Sequence, residues 1–284
     1  MLDIYMESDK EVISFCEALF QINKKIELHW KTHDEWGNHL QIEIKDVDNS
    51  SLDSIAGALV DVFMFHRLSD MIRSVIQDEF YYTNQDEIDK ILDLTHWIIT
   101  GGDDENIDLT ETQDPGLFLE SLFNSMVKNA CTVHYDSLVK FRIKPFKELI
   151  KCFTGLAIDE LKREEDHLSF INALREYIAK KEAVIPTVYM LQEDPFVFFH
   201  SNGKRFTNME LHMIMQKEPL YIVGLDSNEK NLSPLIAMAP ENILIYGENP
   251  DEPKTLTIIN VFQERVEFKP MIDFPFPQYL KNYE

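Results

Sequence analysis

Two stretches of the chain end alike. Tyr221-Ile222-Val223-Gly224-Leu225-Asp226 and Leu244-Ile245-Tyr246-Gly247-Glu248 each run from apolar residues through a glycine to an acid. Read as parallel neighbouring strands, they would deliver Asp226 and Glu248 to one carboxyl edge. Open α/β sheets bind ligands at that edge, and two carboxylates there could hold a divalent cation. The chemistry would be metal-dependent hydrolysis or transfer on a phosphorylated substrate. The plainer reading is that glycine ends strands in general and that loops of an acidic protein are acidic, and it carries more weight.

Three further groups have the right residue types. His29, His33 and His39 fall in one predicted hairpin, where three imidazoles could hold zinc or nickel if the fold gathered them. Trp30 and Trp36 beside them favour surface or packing histidines. Asp159, Glu160, Glu164, Glu165, Asp166 and His167 lie on a long predicted helix, with Glu160 and Glu164 one turn apart. A bundle metal site needs a matching Glu-x-x-His on another helix, and there is no second copy, so a solvated face countered by Lys162 and Arg163 is favoured. Cys152 follows Lys151, but a position within a long helix favours burial or packing over reactivity.

The chain has no Gly-x-Ser-x-Gly, no glycine-rich phosphate loop and no His-Glu-x-x-His. No catalytic residue is assigned and no cofactor is expected. The tail Phe274-Pro275-Phe276-Pro277-Gln278-Tyr279-Leu280 alternates aromatics with prolines. Phe274, Phe276 and Tyr279 could dock on a partner as an extended peptide, or fold back on their own domain.

The elements that must position these residues fall into three sections of an α+β or mixed fold. Residues 1–50 read as a small βαββ unit: a strand at Leu2–Met6, a helix capped by Ser8 or Asp9, and a hairpin of Ile26–Trp30 and Leu40–Ile44 around Gly37-Asn38. Residues 51–183 are helical. One helix runs from Asp53 through Ile76, and a second runs from Asn84 to the stop at Gly101-Gly102. Gly101 to Pro115 reads as an acidic loop, a third helix begins near Pro115, and a fourth spans about Pro145 to Lys181. Residues 184–284 form a C-terminal α/β section with the tail. Strands are expected at Thr187–Leu191, Phe196–His200, Leu220–Gly224, Asn242–Gly247 and Val266–Phe268, with helices between them. That order suggests a hairpin and a partly parallel sheet.

The 284 residues carry 27 Lys and Arg against 50 Asp and Glu, a formal charge of −23. Such a field repels phosphate backbones and anionic membrane surfaces, so neither nucleic acid nor membrane is expected as a partner. The densest basic stretch, Lys140, Arg142, Lys144, Lys147 and Lys151, is thin for a nucleic-acid footprint. A basic or hydrophobic protein partner, or simple solubility, explains the charge more easily, and a homodimer is a further candidate. Cys16, Cys131 and Cys152 are widely spaced and odd in number, which suggests reduced thiols in the cytoplasm. The first residues lack the basic and apolar regions of a signal peptide, and the apolar window Ile55–Phe65 is too short to span a bilayer.

A family resemblance rests on particular words and their order. Phe141-Arg142-Ile143-Lys144-Pro145-Phe146, Ala157-Ile158-Asp159-Glu160-Leu161-Lys162 and Phe170-Ile171-Asn172-Ala173-Leu174-Arg175 come first. Leu235-Ile236-Ala237-Met238-Ala239-Pro240-Glu241-Asn242-Ile243-Leu244-Ile245-Tyr246-Gly247 follows, then Thr257–Phe262 and Arg265-Val266. Over roughly residues 135 to 268 the chain resembles the YtxC-like sporulation proteins of spore-forming Firmicutes. The resemblance implies a cytosolic, sporulation-associated protein of unestablished molecular activity and carries over no catalytic residue. Some members end in a cysteine-containing stretch after the Arg-Val pair. Here Glu267-Phe268-Lys269-Pro270-Met271 holds none, so no metal or redox role follows. The expectation is action through protein binding. The alternative is the metal-dependent enzyme with its site near Asp226 and Glu248.

Overall fold

The computed structural model describes residues 1–24, 26–33, 37–43, 49–101, 114–226 and 229–280. The expected acidic stretch 102–113 and the hairpin turn with Trp36 lie outside these. Packing divides the chain into two compact units, Met1–Lys162 and Arg163–Glu284. Both are mixed α/β, and each holds one mixed four-stranded sheet.

In the first unit, β1 (Leu2–Met6) alternates buried and half-exposed residues, and Ser8 caps α1 (Asp9–Ile22) by accepting the Glu11 amide. β2 (Glu27–His33) and β3 (Gly37–Glu43) pair antiparallel, as the hairpin reading requires. Next come α2 (Asn49–His66), α3 (Leu68–Asp78), α4 (Gln85–Ile99) and α5 (Pro115–Lys128). Apolar periodicity runs unbroken from Leu59 to Ile76, yet the helix is interrupted at Arg67, whose φ of −119° departs from helical values. Two short elements, β4 (Thr132–His134) and α6 (Tyr135–Phe141), have too few residues to show a period. They precede α7 (Lys144–Ala179), close to the predicted long helix.

The sheet order is β2-β3-β1-β4, with β1 antiparallel to β3 and parallel to β4. Leu2, Ile4, Met6, Leu40, Ile42 and Val133 line one face and join the helices in a core that includes Phe15, Phe63, Phe123 and Phe146. The opposite residues, Asp3, Tyr5, His39, Gln41, Thr132 and His134, occupy the other face.

The second unit takes the last part of α7 and adds β5 (Thr187–Leu191), β6 (Val197–Phe199), α8 (Asn208–Met215), α9 (Ser233–Met238), β7 (Asn242–Gly247), α10 (Pro253–Phe262) and β8 (Val266–Pro270). Its sheet order is β6-β5-β7-β8, parallel except for the β6 hairpin edge. Val188, Met190, Ile243 and Ile245 pack on one face with Leu174, Ile178, Leu235 and Ile258. Leu191, Val197, Phe199 and Tyr246 form the second face, which the tail covers through Phe274, Phe276 and Tyr279.

One expected strand is absent. Leu220–Val223 forms a 3-10 turn instead, following Pro219 and ending at Gly224 with φ +75°. Only Leu220 of the run is buried, while Tyr221 and Ile222 are exposed. The sheet position beside β7 is taken by β5 and β8, so the run gains no strand partner and anchors through one leucine. Among the described residues no helix is long and apolar enough to cross a membrane.

Candidate functional site

The carboxyl ends of the parallel strands β1 and β4 hold the most elaborate polar cluster of the first unit. Glu11 sits three residues after its helix cap, where a capping-box glutamate would reach back to the backbone. Its buried carboxylate goes instead to Arg67, which donates through Nε and, at 2.7 Å, through a terminal nitrogen. Arg67 also donates to Asp136 Oδ1 at 2.8 Å, and Asp136 Oδ2 accepts the Glu7 amide at 2.9 Å. The helix interruption thus brings one guanidinium between acids from α1 and α6. Tyr135, fully buried alongside, has a hydroxyl without a protein hydrogen-bond partner. Burial, with Glu11 nearby, pushes its phenol well above the ordinary value. The charges of Glu11, Arg67 and Asp136 are paired with one another, so the cluster ties the end of β1, α1, the start of α3 and α6 together.

The neighbouring sheet face is different. Tyr5 stacks between His39 and His134, with ring centroids 4.5 and 4.8 Å away and planes within 3° and 17° of parallel. His39 also contacts Asp3 at 2.7 Å through Nε2. Beyond His134, the edge strand β4 borders an open cleft of about 530 Å³ formed with α5 and α6. Asn129, Thr132, His134, Ser137, Phe141 and Arg142 are among its walls.

The sequence candidates are not gathered into sites. His29, His33 and His39 do project from one face of the hairpin, but they stand opposite Gln41, Gly37 and Lys31 respectively. His39 is engaged by Asp3 and Tyr5. Glu164, Glu165, Asp166 and His167 lie on exposed turns of α7, and Cys152, expected to be buried or packed, is exposed on the same helix. The helix turns that residue outward because Ile150, Phe153, Thr154 and Ala157 take the core-facing positions. Asp226 follows the 3-10 turn and Glu248 follows β7, so the two are not paired strand ends. Among the described residues no group of three or more His, Cys, Asp or Glu is placed to hold a metal ion.

The carboxyl edge of β5 and β7, the kind of edge at which open α/β sheets bind ligands, is filled by the protein itself. Gln192 donates to Asn249 O, Glu252 Oε2 and Thr255 Oγ1 at 2.6–2.9 Å, and its Oε1 accepts the amides of Glu248 and Asn249. Gly247 permits this, since a Cβ there would overlap the Gln192 side chain. The tail folds back: Phe274 is buried against Phe199 and Tyr246, and Phe276 meets Tyr189 edge-on. A second network joins Tyr177, Glu218 and Lys181. Burial and the hydrogen bond to Glu218 push the Tyr177 phenol up to about 12. Burial pushes the Glu218 carboxyl up, but bonds from Lys181 and Tyr177 outweigh it and hold the group below its ordinary range.

Among the exposed residues of the second unit are several large apolar side chains. Met209 and Met213 stand one turn apart on α8, and Tyr221 and Ile222 follow on the 3-10 turn, all between 50% and 79% exposed.

A family model described as the YtxC-like family matches residues 53–267. The chain is also 30% identical over 224 residues to the protein named Uncharacterized protein YtxC of Bacillus subtilis (strain 168), covering 76% of each chain. No solved structure matches.

Proposed function

The chain belongs to the YtxC-like family, and from that premise we propose that it is a cytoplasmic, sporulation-associated protein that acts by binding another protein. The sporulation setting rests on the family resemblance. The binding reading rests on the exposed Met209, Met213, Tyr221 and Ile222 of the second unit. Single exposed apolar side chains are ordinary, but methionine and aromatic residues concentrated on consecutive elements are the composition of interface centres. Methionine suits such a surface because its flexible thioether adapts to different partners.

The test is complementation. In a spore-forming strain deleted for the gene, the wild-type chain should restore heat-resistant spore counts, while Tyr221→Asp with Ile222→Asp should not. Far-UV circular dichroism and Tm must be unchanged, which the exposure of both residues predicts. Full complementation by the double variant would remove this surface from the function.

A further inference from the structure

We propose that the cleft beside β4 receives an extended acidic peptide, which adds to the free edge of the first unit's sheet. The inference rests on the protein-binding reading and names the chemistry of one partner. Two independent features support it.

The first is the edge itself. β4 pairs with β1 on one side and terminates the sheet order β2-β3-β1-β4, so its outer N–H and C=O groups face no strand among the described residues. Proteins usually cover such an edge or blunt it, for instance by keeping it short as β4 is. Here all three residues of β4, Thr132, Val133 and His134, line an open cleft of about 530 Å³. An extended segment laid there would continue the sheet by backbone hydrogen bonds, the mode by which peptides augment exposed edges.

The second is charge. The chain has 50 acids and 27 basic residues, yet none of the described residues lining this cleft is acidic, and Arg142 and His134 are among them. Lys140, Arg142 and Lys144, the start of the densest basic stretch in the sequence, make no salt bridge among the described residues. The ammonium of Lys140 instead lies 5.6 Å from the Phe141 ring centroid. In a molecule of −23, Arg142 in the cleft wall, with Lys140 and Lys144 two residues to either side of it in sequence, forms a local field opposite in sign to the whole. A peptide with carboxylates at alternate positions would place them on one side, toward Arg142 and, beside it in sequence, Lys140. Thr132, Ser137 and Asn129 supply hydroxyl and amide groups for its remaining polar atoms, and the exposed Phe141 offers an apolar contact for an intervening side chain.

The probe is a fluorescein-labelled octapeptide of alternating glutamate and valine, titrated into the full chain at low salt and followed by fluorescence anisotropy. Saturable binding is expected. It should weaken by about tenfold or more for Arg142→Glu with Lys140→Glu, as removal and reversal of paired charges does elsewhere. Both residues are exposed, so the variant should keep the wild-type Tm. N-methylation of alternate backbone amides in the peptide should abolish binding, and a lysine–valine octapeptide should not bind. Absence of saturable binding would overturn the proposal. So would unchanged affinity in the charge-reversed variant. Equal binding of the N-methylated peptide, or full displacement by inorganic phosphate at matched ionic strength, would reduce the cleft to a simple anion site and also overturn it. Failure here leaves the Tyr221–Ile222 complementation result standing, because those residues belong to the other unit. Failure of the complementation test with peptide binding intact removes the second-unit surface alone.

Discussion

Arg67 shows what one side chain can decide. Its guanidinium occupies the space between Glu11 and Asp136, and the Glu11 carboxylate is almost wholly buried. Removing one member of a buried pair leaves an uncompensated charge, at a cost of about 3–5 kcal/mol. Arg67→Ala should therefore lower the urea-unfolding free energy by about 3 kcal/mol, the lower end being apt because Arg67 itself is partly exposed. Glu11→Leu combined with Arg67→Met should recover much of the loss, and additive losses in that double variant would refute the pairing. Glu210 offers a measurement by pH. The Thr207 amide, together with Lys204 and the Thr207 hydroxyl, holds its carboxyl down to about 2. A depressed carboxylate contributes stability above its ordinary value near 4.5, and that contribution is lost as pH falls toward about 2. Heteronuclear NMR titration should show this midpoint, and Thr207→Ala should move it upward. Glu210 lies at the surface with a partly exposed side chain, so the effect concerns the α8 cap and not global stability.

At the level of elements, the loop after β7 is built around Gln192. Gly247→Ala drives a methyl group into that amide and disturbs five hydrogen bonds from one side chain. Overpacking of this kind costs about 1–3 kcal/mol. The variant should show that loss by thermal unfolding, and Gln192→Ala should make the Gly247→Ala effect smaller in a double-mutant cycle, since contacting residues couple. The tail is likewise an element of the second core. Phe274 is 5% exposed, and its truncation to alanine should cost about 3 kcal/mol, as large-to-small core changes do. If Phe274→Ala left stability unchanged, the tail would not be the cover of the sheet's second face.

For the whole molecule, the excess of 23 negative charges is a destabilising self-repulsion that salt screens. Raising sodium chloride should increase Tm, and calorimetry at low and high salt checks the sign. A fall in Tm would mean that the salt bridges, such as Lys128–Asp53 and Lys151–Glu79, outweigh the net field.

The sequence alone determined the elements with enough residues to display a period: β1, α1, the β2–β3 hairpin, α7 and, apart from Leu220–Gly224, the run of short strands and helices in the last hundred residues. Their side chains alternate or repeat because one face of each must meet a core. The family was also legible, since it lay in the order of several weak words. Tertiary structure decided what local pattern could not express. Leu220–Val223 has the composition of a strand, but a strand requires a neighbour, and the β7 positions were already filled. β4 has only three residues, so its place beside β1 comes from pairing across more than a hundred residues of chain. Arg67 interrupts a helix whose apolar period never falters, in a position where its charge meets acids from distant segments. The acids proposed from sequence stood out by type, whereas the cleft beside β4 depends on which cations lack partners, and only the folded arrangement of charges decides that.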